Sequence, residues 1–260
     1  MKKQVLAVIA GVCAAHVLSV SAQTTIWFDD FESYADTAAL SGPYTQMYPG
    51  TPVLLDTSKG YLSDKSIHFG LPANNNTTRA YFNIPGGPVT PTDQNPLKVE
   101  FWTDLDTAIW STRQYIEIRS YAGGEYGAGA LNDLIALVFT SSGVDTTRIN
   151  YRVVSGVNWG DLTDTYATRA TIADPNNDWT KLAMVLYHDK VEFYVNDNLD
   201  TTQTKAAGLA FDSIVIGSGL SSAGADVWFD NLTVIVPEPS SLALSLLGGF
   251  GLLAMFRRRR

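Results

Sequence analysis

The sequence predicts an all-β protein, a two-sheet antiparallel jelly-roll sandwich flanked by an N-terminal signal helix and a C-terminal transmembrane helix. Three observations lead there. Apolar residues recur at every second position in a series of short segments. Clusters of Gly, Pro, Asn and Asp separate those segments. Between the two chain ends, no stretch carries the 3.6-residue period of an amphipathic helix. About twelve strands are expected, enough for two covered sheets.

The chain opens with Met1-Lys2-Lys3, an apolar run over residues 5–20, and the small residues Val20-Ser21-Ala22. This order predicts a secretory signal peptide over residues 1–22, removed by signal peptidase before Gln23 after passage through the general secretion machinery. Cys13 is the only cysteine and lies inside that segment. The body therefore has neither a disulfide nor a thiol nucleophile. It holds 12 lysines and arginines against 25 acids over residues 23–236, a net charge of −13, and 20 of the acids are Asp. Such a balance argues against nucleic acid as a partner and is compatible with cation binding.

Strand segments follow in order. Leu97, Val99, Phe101 and Thr103 alternate with Lys98, Glu100, Trp102 and Asp104. Ile116 and Ile118 alternate with Tyr115, Glu117 and Arg119; Ile149, Tyr151 and Val153 alternate with Arg148, Asn150 and Arg152. Val191, Phe193 and Val195 alternate with Glu192, Tyr194 and Asn196. One apolar face per strand is the mark of an antiparallel sheet covered on one side. The runs 134–139, 182–187, 214–216 and 227–236 are more uniformly apolar. Turn signals at Asn74-Asn75-Asn76, Pro85-Gly86-Gly87-Pro88, Gly123-Gly124 and Asn196-Asp197-Asn198 divide them.

The C-terminus reads Val236-Pro237-Glu238-Pro239, two serines, an apolar run over 242–256, and Arg257-Arg258-Arg259-Arg260. Pro237 and Pro239 keep their surroundings extended and accessible. The apolar run reaches roughly 22 Å as a helix at about 1.5 Å per residue, against a bilayer core of about 30 Å. With Ser240 and Ser241 added, a span over about 240–256 nearly closes the gap, and the four arginines hold the cytoplasmic side.

Two resemblances rest on these residues. Residues 236–260 resemble the PEP-CTERM sorting domain. That resemblance implies handling by an exosortase-type membrane protease near Pro237, Glu238 and Pro239, transient anchoring in the inner membrane with the body outside, and delivery to the cell surface or matrix. In the body, the segment from Trp179 to Tyr187, a tight turn, and Val191 to Asn198 is similar to laminin-G-like and concanavalin-like lectin domains. The opening Phe28-Asp29-Asp30-Phe31-Glu32-Ser33-Tyr34 and the closing residues 227–234 look like the ends of the same superfamily. It implies a sandwich over 23–235 and no activity by itself.

Candidate sites are few. Asp29, Asp30, Glu32 and Asp230 have the oxygen chemistry of a structural calcium site, provided the terminal strands pair; as turn acids they would instead cap backbone amides. Trp102, Tyr115 and Tyr194 lie on the polar faces of their strands among Glu100, Glu117, Arg119, Arg152 and Glu192. Aromatic rings among charges suit a polysaccharide such as an exopolysaccharide, the alternative being a solvated outer sheet. Trp110 and Trp159 are further loop candidates. Glu100 and Glu117 are the conceivable glycosidase pair, but no three-acid strand signature, nucleophile elbow, zinc spacing or phosphate loop is present. The expectation is a non-catalytic binding or structural module. A purely structural matrix protein and a divergent polysaccharide hydrolase or lyase are the alternatives.

Overall fold

The period-two segments form strands throughout the body. The computed structural model describes residues 23–47, 53–69, 78–105, 114–139, 145–156, 158–173, 179–218 and 226–237. The signal segment 1–22, the apolar span 240–256 and Arg257 to Arg260 lie outside the described residues. Among the described residues no helix is long and apolar enough to cross a membrane.

Residues 23–237 form one compact unit. Its strands are β1 (Gln23–Asp29), β2 (Thr45–Gln46), β3 (Leu54–Asp56), β4 (Ser66–Phe69), β5 (Arg79–Asn83), β6 (Leu97–Leu105), β7 (Gln114–Tyr121) and β8 (Leu131–Phe139). They continue with β9 (Asn150–Val153), β10 (Gly160–Asp161), β11 (Thr180–Leu186), β12 (Lys190–Val195), β13 (Asn198–Thr204), β14 (Ser213–Ser218) and β15 (Val227–Pro237). The α-helix among the described residues is a single turn, Arg169–Ile172.

Two antiparallel sheets result. The eight-stranded sheet runs β13-β12-β11-β6-β15-β4-β3, with β1 also paired to β15. The seven-stranded sheet runs β10-β9-β8-β7-β14-β5-β2. The chain passes back and forth between the sheets, so sequence neighbours such as β5 and β6 end up in opposite layers. This is the all-β, jelly-roll-like sandwich that the alternation predicts.

The inward residues of both sheets make one core. Phe101 of β6 and Phe69 of β4 meet Phe229 of β15 edge-on, each with ring centroids 5.5 Å apart. Ile116, Ile118, Ile214, Ile216 and Leu137 close the other layer. Each such side chain taken from water contributes about 1.5–3 kcal/mol.

The uniformly apolar runs have a local cause. Leu134, Ala136 and Val138 point away from the core and join Tyr115 and Val215 in a second apolar cluster on the outer face of the seven-stranded sheet. Strand β8 is therefore covered on both sides. Strand β13 escapes the apolar signal because it is an edge: its sequence NLDTTQT has no buried residue. Charged and polar residues suit an edge, since they discourage pairing with another chain.

β15 is the hinge of the eight-stranded sheet. It pairs with β6 along one side and with β4, then β1, along the other. The handover falls at Asp230 and Asn231, where the β6 register shifts and Asn231 takes φ 49°. That combination is a β-bulge with an Asn in the left-handed region. β1 then runs antiparallel to β15 until Gln23 lies opposite Pro237.

Candidate functional site

A trough crosses the outer face of the seven-stranded sheet, and ladder register builds it. Cross-strand partners face the same side. One row reads Arg152, Ala136, Glu117, Val215, Tyr81 from β9 to β5. The next reads Asn150, Val138, Tyr115, Gly217, Arg79. Ala136 and Val138 on one side of β7 and Val215 and Gly217 on the other are small and make a floor around the central Glu117 and Tyr115, and long side chains from the flanking strands make the walls. At about 4.8 Å per strand, β9 and β5 stand roughly 19 Å apart.

The walls are aromatic and cationic. On one side Arg152 lies over the Trp159 ring, 4.9 Å from its centroid, and its Nε donates to Asn158 Oδ1 at 3.1 Å. Gly160 lets β10 come close enough to bring Trp159 there, because a Cβ at Gly160 would fall 2.2 Å from the Tyr151 ring. On the other side Tyr81 stacks on Tyr126 at 4.0 Å and 20°. Gly217 keeps the floor low between Tyr115 and Arg79, and the Arg79 guanidinium reaches within 5.7 Å of the Tyr115 ring. The enclosed depression is about 160 Å³.

Glu117 sits at the centre of the floor and is bound to Arg119, whose Nε donates at 2.7 Å and whose Nη2 donates to the same oxygen. Arg119 Nη1 also donates to the Tyr121 hydroxyl at 2.9 Å. Burial alone would lower the Arg119 pKa; the Glu117 charge and the Tyr121 hydroxyl overcome it and hold the guanidinium above its ordinary value. Burial, with the Glu117 charge adding, pushes the Tyr115 hydroxyl up, and Arg79 and Arg119 only partly offset this. The trough thus presents guanidinium groups and neutral phenols at neutral pH.

The three aromatic candidates do not share a face. Tyr115 belongs to the trough, whereas Trp102 and Tyr194 lie on β6 and β12 of the opposite sheet. Alternation fixes which side of a strand a residue takes, not which sheet the strand joins. Trp102 is also occupied by its own chain. Tyr61, in the loop over residues 57–65, stacks on it at 3.6 Å and 12°. Tyr194 donates to Glu192 Oε2 at 2.7 Å, beside Tyr187, which donates to the same oxygen at 3.0 Å.

Next to Tyr194 lies a larger depression, about 280 Å³, lined by Pro96, Lys98, Val185 and Ile235 among others. Its charges are balanced within the sheet: Glu100 pairs with Lys98 at 2.5 Å and with Lys181 at 3.2 Å, and Lys181 pairs with Asp197 at 2.9 Å. Although smaller, the trough is the better site, because it joins unequal charge to exposed ring edges. The Glu100–Glu117 pair is likewise not assembled, since the two carboxylates stand on outer faces of different sheets.

The acids proposed for calcium serve protein donors. Asp29 accepts from the Phe31 amide at 2.8 Å and from the hydroxyls of Tyr34 and Tyr44 at 2.6 and 2.9 Å. Asp30 accepts from the Glu32 amide at 3.2 Å, and Glu32 from the amides of Asp64 and Lys65 at 3.1 and 2.7 Å. Asp230 accepts from the amides of Tyr61 and Asn231, both at 2.6 Å, and from the Ser63 hydroxyl at 3.0 Å. Among the described residues no three His, Cys, Asp or Glu side chains converge as a metal set. Pro237 ends β15, while Glu238, Pro239 and Trp110 lie outside the described residues.

Arg79, Tyr81, Tyr126 and Gly217 are the trough residues that sequence reasoning missed. A signal existed for two of them: in RAYFN, Ala80 and Phe82 are buried and Arg79 and Tyr81 alternate with them.

Comparison with known proteins agrees with this architecture. Residues 236–260 match the PEP-CTERM protein-sorting motif. No curated protein matches the sequence. Among solved structures, the chain is similar to a cellulose induced protein, Cip1 (18% identity, TM-score 0.55, covering 80% of this chain and 96% of that one). It is also similar to the catalytic domain of an endo-1,3-beta-glucanase (laminarinase) from Thermotoga petrophila (10% identity, TM-score 0.52, 84% and 100%). A sialidase matches as well (12% identity, TM-score 0.52, 82% of this chain), and the chain spans 18% of that protein's length. At these identities the likeness is one of fold.

Proposed function

We propose that this protein is an exported surface or extracellular-matrix component, sorted by an exosortase-type system, whose sandwich binds polysaccharide without cleaving it. The sorting half rests on the motif at residues 236–260. The binding half rests on one observation: a cross-strand trough with a low floor and aromatic walls on an otherwise tightly paired sheet. Pyranose rings stack their C–H faces on aromatic rings, and their hydroxyls bond to flanking charges. The non-catalytic reading is supported by Glu117, the one carboxylate lining the trough among the described residues, which is engaged by Arg119. Hydrolysis of a glycosidic bond commonly requires two carboxylates on opposite sides of it.

Affinity electrophoresis of the mature secreted protein through gels containing a panel of polysaccharides tests the reading. Retardation by at least one polymer, with Kd raised about tenfold by Trp159→Ala, is the expected result. Equal mobility in every gel would leave a purely structural matrix role. A second reading, a polysaccharide-active enzyme, draws on the laminarinase among the fold neighbours. Release of reducing or unsaturated ends, lost in Glu117→Gln, would establish it in place of the first.

A further inference from the structure

We infer that the outer face of the eight-stranded sheet carries a second sugar site, the depression beside Tyr187 and Tyr194, which takes a neutral saccharide. This goes beyond the trough reading and does not rest on it, because the two depressions lie on different sheets.

Ladder register shapes the depression. One row reads Tyr194, Ala183, Glu100, Thr233 across β12, β11, β6 and β15. The next reads Glu192, Val185, Lys98, Ile235. Tyr187 lies just past β11 and Pro96 just before β6, and alternation keeps both on this face. Ala183, Val185 and Ile235 give an apolar floor, the two tyrosines a wall, around about 280 Å³. That volume approaches the roughly 300–1,000 Å³ of small-molecule sites and suits a short saccharide. Loop 57–65 covers Trp102 instead, further along β6.

The two rings are held in place before any ligand arrives. Both hydroxyls donate to one oxygen, Glu192 Oε2, from Tyr194 at 2.7 Å and from Tyr187 at 3.0 Å. Lys190 donates to the other carboxylate oxygen at 2.6 Å and lies 4.4 Å from the Tyr187 ring centroid. One carboxylate thus pins both phenols, so a ligand pays little side-chain entropy to use them. With the hydroxyl protons committed, the rings offer their faces. Among the described residues neither ring stacks on another aromatic, whereas Trp102 lies under Tyr61.

Charge chooses the ligand class. Lys98 and Asp197 are the charged residues that line the depression among the described ones. They are the two ends of a chain of ion pairs, Lys98 to Glu100 at 2.5 Å, Glu100 to Lys181 at 3.2 Å, and Lys181 to Asp197 at 2.9 Å. Two cations and two anions cancel, so an ionic ligand meets no complementary field. Asp197 stands in the two-residue hairpin turn between β12 and β13, where Asn196 and Asp197 take φ 47° and 65°. Its side chain is 70% exposed, and its carboxylate has lone pairs beyond the contact with Lys181. Lys98 has N–H donors beyond the one on Glu100. A pyranose matches this set: its C–H face lies on rings and apolar floor, and its hydroxyls meet a donor on one strand and an acceptor in the turn.

The test applies calorimetry and backbone NMR to the mature secreted protein. The probes are short neutral oligosaccharides of gluco, manno, galacto and xylo configuration, and one oligouronate. At least one neutral probe should bind, with chemical-shift changes centred on Ala183, Val185, Tyr187 and Tyr194. Ala183→Met, which fills the floor, and Tyr187→Ala, which removes one ring of the wall, should each raise Kd about tenfold or more while keeping the wild-type circular dichroism. Tyr187→Phe, which returns the ring without its hydroxyl, should recover most of the affinity lost in Tyr187→Ala. Shift changes at Tyr115 and Val215 instead, or binding lost in Trp159→Ala but kept in Ala183→Met, would assign the sugar to the trough and end this proposal. Tighter binding of the oligouronate at this face would overturn the neutral assignment. No binding of any neutral probe would also end the proposal, and polysaccharide retardation that depends on Trp159 would still carry the trough reading.

Discussion

Single residues decide how the trough is shaped. Gly217 is the clearest, since a Cβ there would lie 2.6 Å from the Thr78 carbonyl oxygen and 2.8 Å from Arg79 Cγ. Gly217→Val should therefore push Arg79 aside and strain β5, at a cost of about 1–3 kcal/mol, read as a lower urea midpoint together with loss of polysaccharide binding. Asp230 governs a pH effect. Burial raises its carboxyl to about 6, and the amide donors of Tyr61 and Asn231 and the Ser63 hydroxyl only partly oppose this. The folded state then holds this proton more tightly than the unfolded chain, so the stabilising contribution is fully present below the usual Asp range near 3.8 and is lost as pH rises through 6. Acidification from pH 7 to pH 4 should stabilise the wild type relative to Asp230→Asn by on the order of 2 kcal/mol, measured by urea unfolding at both pH values. Alternation correctly gave the outward side of Tyr115, Glu117 and Arg119. It could not show that Gly217 and Arg79 would flank them, because that depends on β14 lying between β7 and β5, pairings between strands far apart in sequence.

At the level of elements, legibility follows burial. Strands with one buried face, such as β6 and β12, announce themselves by alternation. Strand β13 does not, because neither face is buried, and β2, β3 and β10 are too short to show a period. Loop 57–65 was illegible for another reason: its value lies in what it covers. It lays Tyr61 on Trp102, sets Lys59 over the Trp228 ring at 3.6 Å, and pairs Lys59 with Asp104 at 3.0 Å. These contacts turn the outer face around β6 and β15 into interior. Tyr61→Ala should uncover Trp102, shift tryptophan emission to the red, and destabilise the fold by about 1–3 kcal/mol. An unchanged spectrum and melt would show that the loop is decorative.

For the molecule as a whole, the two sheets divide the labour. The eight-stranded sheet carries residues 23 and 237, where the described body begins and ends, and is roofed by its own loop, while the seven-stranded sheet is left with an arginine- and ring-lined surface. Total charge, the all-β class and the sorting segment were all readable from composition and order. The division between the sheets was not, because it arises from strand order. The ladder joining β1 to β15 has a mechanical consequence. Gln23 and Pro237 are opposed in register, so their Cα atoms lie within about 5 Å. The first and last described residues of the body thus share one corner of the eight-stranded sheet. Tension applied at those two residues would load the β1–β15 ladder end-on, parting it one pair at a time like a zip rather than shearing it all at once.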